Sequence, residues 1–256
     1  MKLMICGKGG SGKSTIAALL AKTSVETGNS VLVVDTDESN FGLHRQLGLE
    51  LPPDFINYFG GKNVVLEKIM AAAPDYESVS FFDKDWQIAD IPSEYYSEKN
   101  GIKLIAIGKI HDVGEGCACT MGVLAKEFIG KLKLNSDELV LVDTEAGIEH
   151  FGRAVEQDVD AILMVIDPSY ESMKLAEKVL ELSSTLEKPV YYILNKVDEN
   201  NEQFMRESIS NQEMIIATIP TKASLSVTGL KGDEITADGC EIESMNGLLM
   251  EISDNS

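Results

Sequence analysis

Basic residues are scarce in this chain. It holds 22 lysines and arginines against 42 aspartates and glutamates, a formal net charge of −20, with no run of Lys and Arg anywhere. A surface of that sign repels nucleic-acid phosphates and anionic lipid headgroups, so neither is expected as a partner. Long hydrophobic runs are also missing. No stretch reaches the about 18 consecutive apolar residues that a membrane span needs. The N-terminal run LMIC gives way at once to glycines, too short for the apolar core of a secretory signal. Cysteine is sparse: only Cys6, Cys117, Cys119 and Cys240. In a cytosolic chain such cysteines read as thiols or metal ligands rather than as a disulfide framework. The expectation is a cytoplasmic protein without stable membrane anchoring.

What is present is an ordinary globular balance, 44% hydrophobic and 25% charged over 256 residues. That length suits one α/β domain spanning residues 1–256. Short apolar runs read as buried parallel strands at 3–6, 31–34, 104–107, 139–142, 161–166, 190–194 and 215–219. Helical patterns lie between most of them. Residues 13–27 stop at Gly28, residues 171–187 stop before Pro189, and Ile242, Met245, Leu248, Leu249 and Ile252 form a helical stripe near the C-terminus. Alternating strands and helices imply right-handed crossovers and a doubly wound, mostly parallel sheet flanked by helices. Residues 50–100, punctuated by LPPDF, FGGKN and AAAPDY, read as a helical, loop-rich segment inside the same domain.

Gly7-Lys8-Gly9-Gly10-Ser11-Gly12-Lys13-Ser14 fits GxxxxGK[ST] between a strand and a helix, with Thr15 following. Glycines let backbone N–H groups turn toward a polyphosphate, and the helix N-terminus adds its positive dipole end. In such loops the lysine, here Lys13, reaches the terminal phosphates and the hydroxyl, here Ser14, ligates Mg²⁺.

The second lysine of the loop, Lys8, resembles the deviant Walker A motif of the MinD/ParA/nitrogenase iron-protein class. That resemblance implies a P-loop fold, a homodimer, and a Lys8 that crosses the dimer interface to the partner's nucleotide as an arginine finger would. It further implies that Asp37, in VLVVDTDESN, positions the attacking water, and that Asp35 supports Mg²⁺ through water. Asp143, in LVLVDTEAG, becomes the Walker B carboxylate, with Gly147 in a second switch. Glu145 departs from the pattern, since a carboxylate beside a γ-phosphate repels it unless it points away or meets the partner's Lys8. Asn195-Lys196, in YYILNKVD, would read and cover the adenine, with the loop around Pro220 adding backbone contacts. NKxD, ending at Asp198, is also the guanine-binding signature of GTPases. Lys8 favours ATP, because its class mostly uses ATP.

The remaining feature is HDVGEGCACTMGVL, where Cys117 and Cys119 stand one residue apart. A disulfide at that spacing is strained. Met121, Leu124, Ala125, Phe128, Ile129 and Leu132 follow at helical spacing, so the pair sits at or just before a helix N-terminus, whose dipole favours thiolates. Two thiolates leave a tetrahedral site half complete. A two-fold axis would supply two more, suiting Zn²⁺, Ni²⁺ or an iron–sulfur cluster. Cys6 reads as core, and His44, His111 and His150 as auxiliary ligands at most.

Deviant Walker A, Cys-x-Cys ahead of a helix, and DTEAGIEHFGR together resemble the CooC family, the ATPases that mature nickel enzymes. The resemblance covers roughly residues 1–230. It implies slow ATP hydrolysis coupled to one Ni²⁺ or Zn²⁺ shared by Cys117 and Cys119 of two protomers. The implied client is carbon monoxide dehydrogenase or acetyl-CoA synthase. An iron-protein-like iron–sulfur reductase and a MinD/ParA-like ATPase switch remain open alternatives. The acidic C-terminus EIESMNGLLMEISDNS speaks against a MinD-like lipid anchor, and the net charge against a ParA-like DNA-binding face.

Overall fold

The computed structural model describes residues 1–73, 79–111, 119–147, 155–186, 188–236, 245, 247–250 and 252. Eight strands form one sheet: β1 (Lys2–Gly7), β2 (Ser30–Asp35), β3 (Ser97–Lys99), β4 (Ile102–Ala106), β5 (Glu138–Asp143), β6 (Ala161–Ile166), β7 (Val190–Val197) and β8 (Ile215–Pro220). Their order is β3-β4-β2-β5-β1-β6-β7-β8. Every pairing is parallel except β3 with β4. The central strands are apolar on both faces because helices cover both faces.

Alternation along the strands divides the core in two. Leu3, Ile5, Val31, Val33, Leu139 and Leu141 pack with Ile16, Leu19 and Leu20 of α1 (Lys13–Glu26) and with Leu43 and Leu47 of α2 (Leu43–Leu47). Met245, Leu248 and Ile252 of the C-terminal stripe join this face. Met4, Cys6, Leu32, Val34, Val140 and Val142 face Val65 and Ile69 of α3 (Gly61–Ala71) and Leu124 and Phe128 of α4 (Cys119–Lys131). Met173 and Val179 of α5 (Tyr170–Leu186) lie on that side too. Cys6 is core, as expected, and burial pushes its thiol up to about 12. Gly28 ends α1 at φ +97, its N–H bonded to Val25 O at 3.0 Å.

Seven strands were expected and eight are present. The extra strand, β3, is polar and three residues long, so no apolar run marks it. Its signal is Asn100-Gly101: both have positive φ (52° and 82°), and they close a two-residue hairpin that sets Lys99 against Ile102. The strand therefore corrects the reading of 50–100 as helix and loop alone. Among the described residues, the rest of that segment is mainly α3 and short 3-10 turns gathered around a buried aromatic cluster. Phe55 lies 5.1 Å from Phe128 and 5.4 Å from Phe59, and Phe82 lies 5.1 Å from Trp86. Glu127 of α4 accepts the Phe81 N–H at 2.8 Å, which fastens the segment to that helix.

Candidate functional site

The β1–α1 turn is shaped by two glycines that admit no side chain. Gly12 has φ +103, and a Cβ there would lie 2.2 Å from Asn195 Nδ2. Gly7 has φ +150, and its Cβ would lie 2.5 Å from Val165 O. Inside the turn Lys13 Nζ donates to Gly7 O at 3.2 Å and Lys8 O at 3.4 Å. From β7, Asn195 Nδ2 donates to Ser11 O at 2.8 Å, and Lys196 Nζ donates to Gly10 O at 2.5 Å. Lys196 stands at φ +59 beside a break in the β7–β8 register, a strained placement that turns its side chain onto the loop.

The register of β2 and β5 sets Asp35 directly beside Asp143 at the carboxyl edge of the sheet. Ser14 Oγ donates to Asp143 Oδ2 at 2.6 Å and accepts from Asn40 Nδ2 at 2.6 Å. Asp143 Oδ1 is buried and has no hydrogen-bond partner among the described residues. A hydroxyl beside an unsatisfied carboxylate oxygen is a hard-oxygen donor set that fits Mg²⁺. Burial raises the Asp143 carboxyl to about 6, opposed by the Ser14 hydrogen bond. Burial also raises Asp35, to about 7, opposed by the charge of Lys109.

Lys109 was not anticipated. It is fully buried, and its Nζ donates to Asp35 Oδ2 at 2.6 Å, Asp37 O at 2.5 Å and Asn40 O at 2.6 Å. Asp35 Oδ1 accepts the Asp37 N–H at 3.1 Å, so both Asp35 oxygens already take a bond. Asp37 Oδ1 accepts from Ser39 N at 3.0 Å and Ser39 Oγ at 2.7 Å.

A cavity of about 610 Å³ opens in front of these groups. Gly9, Gly10, Gly12, Lys13, Ser14, Thr15, Asp37, Asn195, Lys196 and Pro220, all expected from sequence, line it together. Ser39, Asn40, Gln46 and, from α7 (Ala223–Lys231), Leu225 and Ser226 line it as well; no motif marks them. Asp198 is not in the lining. Its carboxylate instead accepts the N–H groups of Asn200 at 2.8 Å and Asn201 at 3.1 Å, closing the turn after β7. Glu145 is half-buried and outside the lining, whereas Ala146 is in it.

Lys8 is not in the cavity lining and instead meets the turn that follows β6. Its Nζ donates to Ser169 Oγ at 3.1 Å and stands 3.7 Å from Asp167 Oδ2. Gly147 N donates to Gly7 O at 3.2 Å, tying the stretch after β5 to the start of the loop. Cys119 opens α4, as the apolar spacing implies. Cys117, His150 and Cys240 lie outside the described residues. Among the described residues no three His, Cys, Asp or Glu side chains gather as a metal cluster. His111 Nε2 stands 3.0 Å from the buried Asp54 Oδ2.

A family model described as the CobQ/CobB/MinD/ParA nucleotide binding domain matches residues 3–235. The chain belongs to that family. As a CobQ/CobB/MinD/ParA-type protein it is a nucleotide-binding P-loop ATPase. An uncharacterised ATP-binding protein of Methanocaldococcus jannaschii is 49% identical over 249 residues, covering 97% of this chain and 99% of the relative. The carbon monoxide dehydrogenase accessory protein CooC of Rhodospirillum rubrum is 28% identical over 238 residues, covering 91% of this chain and 88% of the relative. Among solved structures, MinD of Pyrococcus horikoshii complexed with Mg-ADP superposes with a TM-score of 0.70 at 16% identity, covering 99% of this chain and 96% of that chain. Members of the family share the doubly wound sheet found here. No helix among the described residues is long and apolar enough to cross a membrane.

Proposed function

We propose that the chain is a single-domain, dimeric, ATP-driven maturation factor whose Cys117 and Cys119 carry nickel or zinc to a client metalloenzyme of the carbon monoxide dehydrogenase or acetyl-CoA synthase kind. The observation that supports this reading is what flanks the cysteine segment in the chain. It runs from the strand exit at 107–111, which is bonded to the Asp35–Asn40 loop, into the N-terminus of α4 at Cys119. On this reading the nucleotide side and the cysteine pair belong to one continuous stretch of chain. The likeness to CooC supports the client class.

The base is adenine on this reading. Asp198, which would have to accept from guanine, spends its Oδ1 on backbone N–H groups and lies off the cavity. Asp37, at the cavity wall, orients the water that attacks the terminal phosphorus while the bond to the leaving diphosphate breaks. Lys13 compensates the charge on the phosphoryl oxygens. Ser14 and Asp143 would hold Mg²⁺, which when bound would neutralise charge on the phosphates. Lys8 leaves Ser169 and Asp167 to reach the partner's nucleotide, so the site is complete only in the dimer. Asp35 holds Lys109 and, beside Asp143, would support the Mg²⁺ site through its negative charge.

Titration of Ni²⁺ and Zn²⁺ into the wild type and a Cys117→Ala/Cys119→Ala variant, with mass measured in parallel, tests this. One ion per two chains, lost in the variant, is the expected result. Binding that survives the double substitution refutes the cysteine site. Protein isolated brown under anaerobic conditions, with charge-transfer absorption, instead establishes the iron–sulfur alternative.

A further inference from the structure

A lysine with no exposed surface is rare unless every proton is used. Lys109 uses all three, on Asp35 Oδ2, Asp37 O and Asn40 O. Two of these acceptors are main-chain carbonyls of the loop that presents Asp37. The backbone repeats the connection on either side: Ile107 N donates to Asp35 O at 3.0 Å, and Ile110 N donates to Glu38 O at 3.1 Å. At the far end of the same loop, Asn40 Nδ2 holds Ser14 Oγ at 2.6 Å. A short path therefore runs from Ser14 through Asn40 and Lys109 to residues 110 and 111, from which the chain continues to Cys117. Lys62 Nζ donates to Lys109 O at 2.5 Å and the Phe41 ring centroid lies 5.8 Å from Lys109 Nζ, so the clamp is held from outside as well.

We propose that Lys109 is a positioning residue with two tasks: it fixes the Asp37 loop for hydrolysis, and it transmits the nucleotide state at Ser14 to the strand exit at 107–111. This deepens the proposed function and rests on it, but its readout needs no metal. A movement of Asn40 that follows Ser14 must pull on the ammonium, because the bonds of a buried charge are expensive to leave unmade. The ammonium in turn is covalently part of the cysteine segment's lead-in.

Amide hydrogen exchange on the full chain, with and without a non-hydrolysable ATP analogue and Mg²⁺, tests the proposal together with steady-state ATPase kinetics. In the wild type the analogue should slow exchange over 107–111 by about threefold or more. Lys109→Met should abolish that response and lower kcat by about tenfold or more, while KM for ATP changes by less than about threefold. The proposal is overturned by a Lys109→Met protein that keeps the wild-type kcat or the exchange response. It is equally overturned if the analogue leaves 107–111 unchanged in the wild type, or if the variant loses kcat and nucleotide affinity together, as a purely structural lysine would. Should Lys109→Met fail to fold because Asp35 is left buried and unpaired, Asp35→Asn/Lys109→Met removes both charges and carries the same exchange measurement. Loss of the exchange response there supports the proposal, and its retention overturns it. Failure of Cys117 and Cys119 to bind metal would sink the cargo reading while leaving these outcomes intact.

Discussion

Asp143 is fully buried, with one oxygen bonded to Ser14 and the other without a partner among the described residues. Its carboxyl titrates near 6 rather than at the ordinary 3.8. Because the native value is raised, the folded chain binds more protons than the unfolded chain between those values. The stability this group permits is therefore whole below about 4 and declines as pH rises through about 6. Asp143→Asn removes the buried charge. In chelator the variant should exceed the wild type by roughly 1–3 kcal/mol in chemical denaturation at pH 7.5. The difference should fade toward pH 4, and Mg²⁺-dependent turnover should be lost. Equal gain at both pH values would show that the charge is not what matters. Lys8 behaves differently: it is one-third exposed and rests on Ser169 and Asp167 of its own chain. Lys8→Ala should lower turnover by about 100-fold or more while ATP still binds. Unchanged turnover would remove the role in trans.

Elements place these residues more than loops do. β1, β2, β5, β6 and β7 end at one edge of the sheet, and that edge carries Gly7, Asp35, Asp143, Asp167 and Asn195. The turn between β1 and α1 depends on glycine. Gly12→Ala, with φ +103 and a Cβ 2.2 Å from Asn195 Nδ2, should reduce ATP affinity about tenfold or more and lower the melting temperature. A variant that binds ATP normally in calorimetry would mean the loop has room that the geometry denies. Such positions were legible in the sequence because their physics is local: a strand, a glycine pattern, a helix start. The apolar runs marked seven strands for the same reason. What escaped notice is what depends on distant partners. β3 is specified by the Asn100-Gly101 turn and by pairing with β4, not by its own side chains. Lys109 is one lysine after one strand, and nothing near it reveals that Asp35, far away in sequence, needs a counter-charge. Asn40 and Gln46 join the cavity only once α2 and β2 are folded against α1. Asp198 could be judged only when its carboxylate was seen to serve the turn after β7.

At the scale of the whole molecule, the proposed dimer requires two chains of −20 each to meet. Nucleotide phosphates at the interface add further negative charge, so the approach depends on Lys8 and Lys13 at that face and on bound Mg²⁺. If thiol spacing across the axis follows the nucleotide state, metal and ATP bind to one shared equilibrium between dimer forms. Their couplings are then equal in size, whichever ligand is added first. The most direct measurement is a pair of calorimetric titrations: Ni²⁺ into the protein with and without a non-hydrolysable ATP analogue, and the analogue into the protein with and without Ni²⁺. A coupled dimer gives the same change in affinity in both, of roughly 5-fold or more. Identical Ni²⁺ affinity with and without the analogue, at full occupancy of the cysteines, contradicts it.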